Sequence, residues 1–187
     1  MKMNSIELVL NEITKGLLVE KEGPFSYSCL MLDIPDSVTK NILKEIRDDD
    51  LHEEGKETEA HTTVKYGLHT QDHQEVFDFC EEYSNLPFEI ILKNFSLFEN
   101  EEYDVLKLEV ESKELRTLNK KICDNFEFTD SFPNYNPHCT LAYLKSGMGA
   151  VYVRLLEEKF PDFNEKLTCN KLLFSEKSGK QHTKTFK

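Results

Sequence analysis

Two segments of this sequence carry the same arrangement of reactive side chains. Ala60-His61-Thr62-Thr63-Val64-Lys65-Tyr66-Gly67-Leu68 and Pro137-His138-Cys139-Thr140-Leu141-Ala142-Tyr143-Leu144 each place a histidine two positions before a threonine, then run on in strand-like fashion to a tyrosine. An unperturbed imidazole titrates at about 6.5, so it gives or takes a proton near neutral pH. A threonine hydroxyl can donate a hydrogen bond to an oxygen whose negative charge is growing. Two such pairs suit acid–base chemistry at a phosphate: one histidine removes a proton from the attacking hydroxyl, the other protonates the departing oxygen, and the threonines hold the non-bridging oxygens.

Side chains alternate across a strand. His61, Thr63 and Lys65 are therefore expected on one face, with Thr62, Val64 and Tyr66 on the other. His138 and Thr140 likewise oppose Cys139, Leu141 and Tyr143. The mostly apolar faces suit burial under helices, which leaves the His/Thr faces for a groove.

The remaining chain supplies elements to hold these strands. The pattern predicts a helix over 4–17, a strand over 25–34 and a helix from Pro35-Asp36-Ser37 to Arg47. In the strand, Leu30, Leu32 and Ile34 share one face, and Tyr27, Cys29, Met31 and Asp33 the other. Residues 48–59 are acidic and contain Gly55, and read as a mobile loop able to act as a lid. A helix over 74–83, strands over 88–93, 95–98 and 105–110, and a helix capped by Ser112 and running to Phe126 follow. A loop from Phe132 to Pro137 leads into the second motif strand. A helix over 150–160 and a closing hairpin over 170–186 complete the chain. Helices mixed with hairpins point to α+β with antiparallel or mixed sheets rather than a doubly wound parallel sheet. There is no Walker or dinucleotide-binding glycine pattern.

At 187 residues the chain fits one domain, 1–187. Its formal net charge of −12 argues against a long polyanion as the main ligand, since extended nucleic acid binds largely through neutralisation of its phosphates. A small nucleotide in a local basic pocket stays open. The five cysteines are odd in number and scattered, with no Cys-x-x-Cys, which points to reduced thiols in a cytoplasm. No apolar run approaches a membrane span, and no cofactor, metal site or partner chain is called for; a monomer suffices.

The two motifs resemble those of the 2H phosphoesterases, a family whose name comes from two His-x-Thr/Ser motifs. The match lies at His61, Thr63, His138 and Thr140 and extends over most of the chain. It implies a bilobal α+β fold with two sheets flanking a central groove, helices outside, and catalysis without a metal. Within that family, residues 23–35, 60–68 and 136–144 are most similar to phage anti-CBASS proteins. Those proteins cleave cyclic di- and trinucleotide alarm signals. This likeness implies cleavage of 3′-5′ linkages in a small cyclic oligonucleotide, in the host cytoplasm, with the 2′-OH as nucleophile. Processing of RNA 2′,3′-cyclic phosphate ends, cleavage of 2′,5′-oligonucleotides, and a non-catalytic nucleotide sponge are the alternatives.

Four further residues are candidates for substrate contact. Tyr27 could stack on a base or pack at a sheet edge. Lys65 could attract phosphate or be a solvated strand-end lysine. Tyr135, with Phe132, could wall the site near His138 or brace the loop against the core. Glu176 could accept from a base amine or orient a histidine.

Overall fold

The computed structural model describes residues 25–129 and 134–187. The helix expected over 4–17, and Phe132, lie outside them. The described elements are β1 (Ser28–Asp33), α1 (Asp36–Leu43), β2 (Leu51–Lys56), β3 (His61–Leu68), α2 (His73–Tyr83), β4 (Phe88–Glu99), β5 (Tyr103–Glu111), α3 (Lys113–Asn125), β6 (His138–Lys145), α4 (Gly149–Lys159), β7 (Asn164–Cys169), β8 (Lys171–Ser175) and β9 (Gln181–Thr185). Among the described residues no helix is long and apolar enough to cross a membrane.

Local chemistry explains most boundaries. The Asp72 carboxylate accepts from the N–H groups of Gln74 and Glu75 and starts α2. The Ser112 hydroxyl accepts from the Leu115 N–H at 3.2 Å and starts α3, whose Leu115, Leu118 and Ile122 point inward as their spacing predicts. In β1 Leu30, Leu32 and the following Ile34 are fully buried and Cys29 and Asp33 half-buried, as alternation requires; Met31, of the second set, is buried as well. Each such side chain stabilises the fold by roughly 1.5–3 kcal/mol on burial, so a one-residue slip of the strand would be prohibitive.

The strands form one curled antiparallel sheet of order β7-β4-β5-β6-β3-β1-β8-β9, with β2 pairing β6 off this path. The order is nearly a palindrome. The motif strands β3 and β6 lie at the centre, flanked by β1 and β5, then β8 and β4, then β9 and β7. The α+β architecture is the expected one, and the two expected sheets are two wings of one continuous sheet. Helices α1 to α4 bury Ile42, Val76, Phe77, Leu115, Ile122, Tyr152 and Leu156 against Leu30, Leu32, Ile90, Leu106, Leu108 and Phe174. The core thus lies on one side of the sheet.

Three segments depart from the sequence-based expectation. Residues 48–59 are not a loop: a single 3-10 turn at Asp48–Asp50 leads into β2, which pairs β6 at Leu51–Leu144 and Lys56–Ala142. Its charged sequence shows no strand alternation, but β6 has unpaired backbone there once it parts from β3, and backbone hydrogen bonding recruits the segment. The two strands expected over 88–93 and 95–98 are one, β4, because Asn94 takes a positive φ of 49° and forms a bulge between Lys93 and Phe95. β7 was not anticipated, since its exposed Asn164, Glu165 and Lys166 give the charged sequence of an edge strand rather than an apolar rhythm.

Candidate active site

The two wings meet at one backbone pair, Thr62 with Cys139. Both side chains are fully buried on the helix side. Their neighbours along each strand therefore project to the concave face. Antiparallel pairing sets His61 beside Thr140 and Thr63 beside His138, one step either side of that pair. All four are half-buried. The structure thus brings the four motif residues together on one face, at the seam between the wings.

Each histidine is oriented in the same way. His61 Nδ1 lies 2.7 Å from the Glu59 carbonyl oxygen and His138 Nδ1 lies 2.9 Å from that of Asn136. A carbonyl only accepts, so in both rings Nδ1 carries the hydrogen and donates it. Nε2 is left as the nitrogen that gives or takes a proton in the groove. Burial pushes the His138 imidazole below its ordinary value. The Asn136 bond raises it, and the nearby charges of Lys107 and His61 lower it further.

A shared irregularity follows each motif. In β3, Thr63 pairs Met31 but Lys65 pairs Leu30, so Val64 is an extra residue. In β6, Thr140 pairs Lys107 but Ala142 pairs Leu106, so Leu141 is extra. A bulge puts two residues opposite one and inverts the alternation beyond it. Strand parity alone expects Lys65 with His61 and Tyr66 and Tyr143 on the buried face; the bulges reverse this. Lys65 is buried, with its ammonium 3.7 Å from the centre of the Phe128 ring. Lys65 therefore does not share the face of His61. Tyr66 is 43% exposed, and Tyr143 is half-buried beside Val105.

Beyond each bulge, a strap from elsewhere closes the motif strand. The Glu57 N–H donates to the Leu141 carbonyl at 2.9 Å, continuing β2 along β6. Thr129 N–H donates to the Gly67 carbonyl at 2.9 Å, and Leu68 bridges Phe128. Gly67 has φ +88°, and a Cβ there would lie 1.9 Å from the Thr129 carbonyl oxygen, so only glycine admits this strap.

An aromatic group stands at either end of the concave face. Tyr27 meets Tyr66 edge-on at 6.3 Å and stacks on His69 at 5.4 Å. At the other end Tyr143 meets Tyr103 at 5.8 Å, and His52 of β2 lies over Tyr103 at 4.8 Å. Of the four residues singled out for substrate contact, only Tyr27 thus reaches this face. The Tyr135 hydroxyl donates to the Thr63 carbonyl at 2.7 Å, its ring packs on the core, and burial pushes its pKa up. It braces the first motif rather than walling the groove. Glu176 contacts a histidine, but His182, at 2.5 Å.

Sequence reasoning passed over Lys107, Ser96 and Phe98, a linked group that reaches His138 through the Phe98 ring. The Lys107 ammonium donates to Ser96 Oγ at 2.7 Å and lies 4.3 Å from the Phe98 ring centre, and that ring meets His138 edge-on at 5.0 Å. The signal was present: Lys107 alternates with Leu106 and Leu108 in a strand whose leucines are core.

Among the described residues one group has donor atoms close enough to hold a metal ion. His73, Glu176 and His182 have theirs within 4.8 Å of one another. It lies on the helix side, where His73 begins α2 and His182 pairs Phe174, away from the motif face.

Comparison with known proteins bears on the family and the fold. The family model of the 2′-5′ RNA ligase superfamily matches residues 34–180. The chain belongs to this superfamily, the 2H phosphoesterases. No curated protein matches it in sequence. Among solved structures, this 2H phosphoesterase resembles Escherichia coli LigT complexed with 3′-AMP (TM-score 0.55, 15% identity, 86% of this chain and 95% of LigT covered). It also resembles Kluyveromyces marxianus Usb1 (TM-score 0.54, 10% identity, 87% and 99% covered). At such identities the likeness is one of fold.

Proposed function

We propose that this 2H phosphoesterase is a metal-independent phosphodiesterase that cleaves 3′-5′ linkages in small cyclic oligoribonucleotides. The observation that carries the reading is the pair of imidazoles, each with Nδ1 tied to a carbonyl and a threonine beside it, at the seam of one groove. A ribonucleotide brings its own nucleophile. One Nε2 takes the 2′-OH proton, the 2′ oxygen attacks phosphorus, and the other Nε2–H protonates the departing 5′ oxygen. Thr63 and Thr140 hydroxyls donate to the non-bridging oxygens as their charge grows. Both proton transfers and both oxyanion contacts are thereby supplied by side chains, without a call on a metal ion. The product is a 2′,3′-cyclic phosphate end, which the same pair can open by activating water.

Two features favour a small ligand with more than one base. The net charge of −12 disfavours long RNA. The Tyr27/Tyr66/His69 and His52/Tyr103/Tyr143 groups offer stacking surfaces on both sides of the histidines. With the likeness to phage anti-CBASS proteins, this supports a monomer that destroys cyclic nucleotide alarm signals in the host cytoplasm. The 3′-AMP bound by LigT supports a second reading, action on linear RNA ends or 2′,5′ linkages.

A panel of cyclic di- and trinucleotides, linear 2′,3′-cyclic phosphates and 2′,5′-dinucleotides, followed by mass analysis, tests this. Turnover of cyclic species with EDTA present, and none of a 2′-deoxy ring, is the expected result. Turnover of linear species alone selects the second reading, and binding without product indicates a sponge.

A further inference from the structure

The palindromic sheet invites a comparison of its wings, and they are not chemically equal. Lys107 of β5 pairs Thr140 of β6 and Ser96 of β4. The corresponding place beside Thr63 is taken by Met31 of β1, which pairs Leu173 of β8. One wing thus sets an ammonium and a hydroxyl next to its motif threonine, and the other sets two apolar side chains there. Lys107 is 8% exposed. Among the described residues no carboxylate lies within ion-pair distance of its ammonium, which has Ser96 Oγ and the Phe98 ring as neighbours. Burying a charge is costly; burial lowers the Lys107 pKa, and the Glu109 charge, which raises it, offsets only part of that. An anion in the groove would relieve that cost.

We propose that Lys107 is the anchor for the reacting phosphate and that it gives the groove a direction. His138 takes the 2′-OH proton and His61 protonates the leaving 5′ oxygen. This rests on the phosphodiesterase reading above. Among the described residues the charged groups facing His138 are Lys107 and Glu109 from β5 and His61 from β3, and β4 brings the Phe98 ring. The Glu109 carboxylate is engaged by the Asn94 side chain at 3.0 Å. A fixed cation beside one imidazole keeps that ring neutral, the state a base requires. The bond formed is O2′–P and the bond broken is P–O5′. One proton passes from the 2′-OH to His138 Nε2, and one from His61 Nε2–H to O5′. The pair resets when water opens the cyclic phosphate with the roles reversed.

Two measurements without turnover test the anchor. Lys107→Met copies the residue that the other wing already accommodates, and Lys107→Arg keeps the charge. In the Met variant the His138 imidazole, followed by NMR titration, should titrate at higher pH, and inorganic phosphate should bind at least about tenfold more weakly. The Arg variant should restore both. A folded Met variant with unchanged His138 titration and phosphate binding overturns the anchor, whatever the substrate proves to be. Direction is tested with a substrate of 5′-thio leaving group, which needs no general acid. It should rescue His61→Ala and leave His138→Ala inactive; the opposite pattern overturns the assignment. Absence of all turnover by the wild-type protein would refute the phosphodiesterase reading and with it the direction, while the two binding measurements still decide the anchor.

Discussion

Thr62 and Cys139 face each other across the middle of the sheet, and among the described residues their backbone pairing is the one rung between β3 and β6. Because both side chains point into the core, the residues before and after them point out together. His61, Thr63, His138 and Thr140 converge for this reason, and the loop carbonyls of Glu59 and Asn136 then orient the two rings.

The first prediction concerns the histidines. His61→Ala and His138→Ala should each lower kcat by about 10²- to 10⁴-fold on whichever cyclic nucleotide is turned over. Neither ring is in the core, so thermal unfolding should be little changed. Full activity in either variant would show that its imidazole is not part of the chemistry.

The second is a pH dependence of stability. The folded-state pKa of His138 lies below its ordinary value, chiefly through burial. Between that lowered value and about 6.5 the unfolded chain binds more protons than the folded one. The contribution is therefore fully present above pH 6.5 and is lost as pH falls through the folded pKa. Urea unfolding from pH 8 to pH 5 should show this loss in the wild type, and a shallower one in His138→Gln.

Tyr135→Phe supplies the third. It deletes the hydroxyl that donates to the Thr63 carbonyl. Stability should fall by about 1 kcal/mol, read as a lower Tm. Because that bond fixes the first motif, kcat should fall more than KM rises.

Thr62→Val is expected to behave in the opposite sense. The Thr62 hydroxyl is buried with no hydrogen-bond partner among the described residues. A methyl of the same size removes an unsatisfied polar atom, which should be neutral or stabilising by up to about 1 kcal/mol, with activity preserved. A marked loss of Tm would mean that the hydroxyl has a partner after all.

Local pattern made much of this legible. The leucines of β1 and β5, the caps at Ser112 and the paired His-x-Thr segments follow rules that act over a few residues, and the structure places them as those rules require. Lys65 and Tyr66 show where such rules stop. Their faces are decided by a bulge, which depends on the register of β3 against β1, a relation between segments distant in sequence. β2 was illegible for a similar reason: Leu51-His52-Glu53-Glu54-Gly55-Lys56 becomes a strand because β6 offers it backbone partners. Tyr135 and Glu176 are offered by the sequence as substrate contacts, with a loop brace and a histidine partner as their other readings; Thr63 and His182 as their actual partners come only with the tertiary fold.

The straps carry a consequence for how the chain folds. The segment ahead of β3 completes the wing built on β6, and residues 127–129, which follow α3, complete the wing built on β3. Each half therefore holds a piece of the other. A chain cut between α2 and β4 would yield two fragments, each lacking part of its own sheet, and neither should be stable alone. Mixed together, they should regain structure only jointly, so the two halves behave as one cooperative unit rather than two.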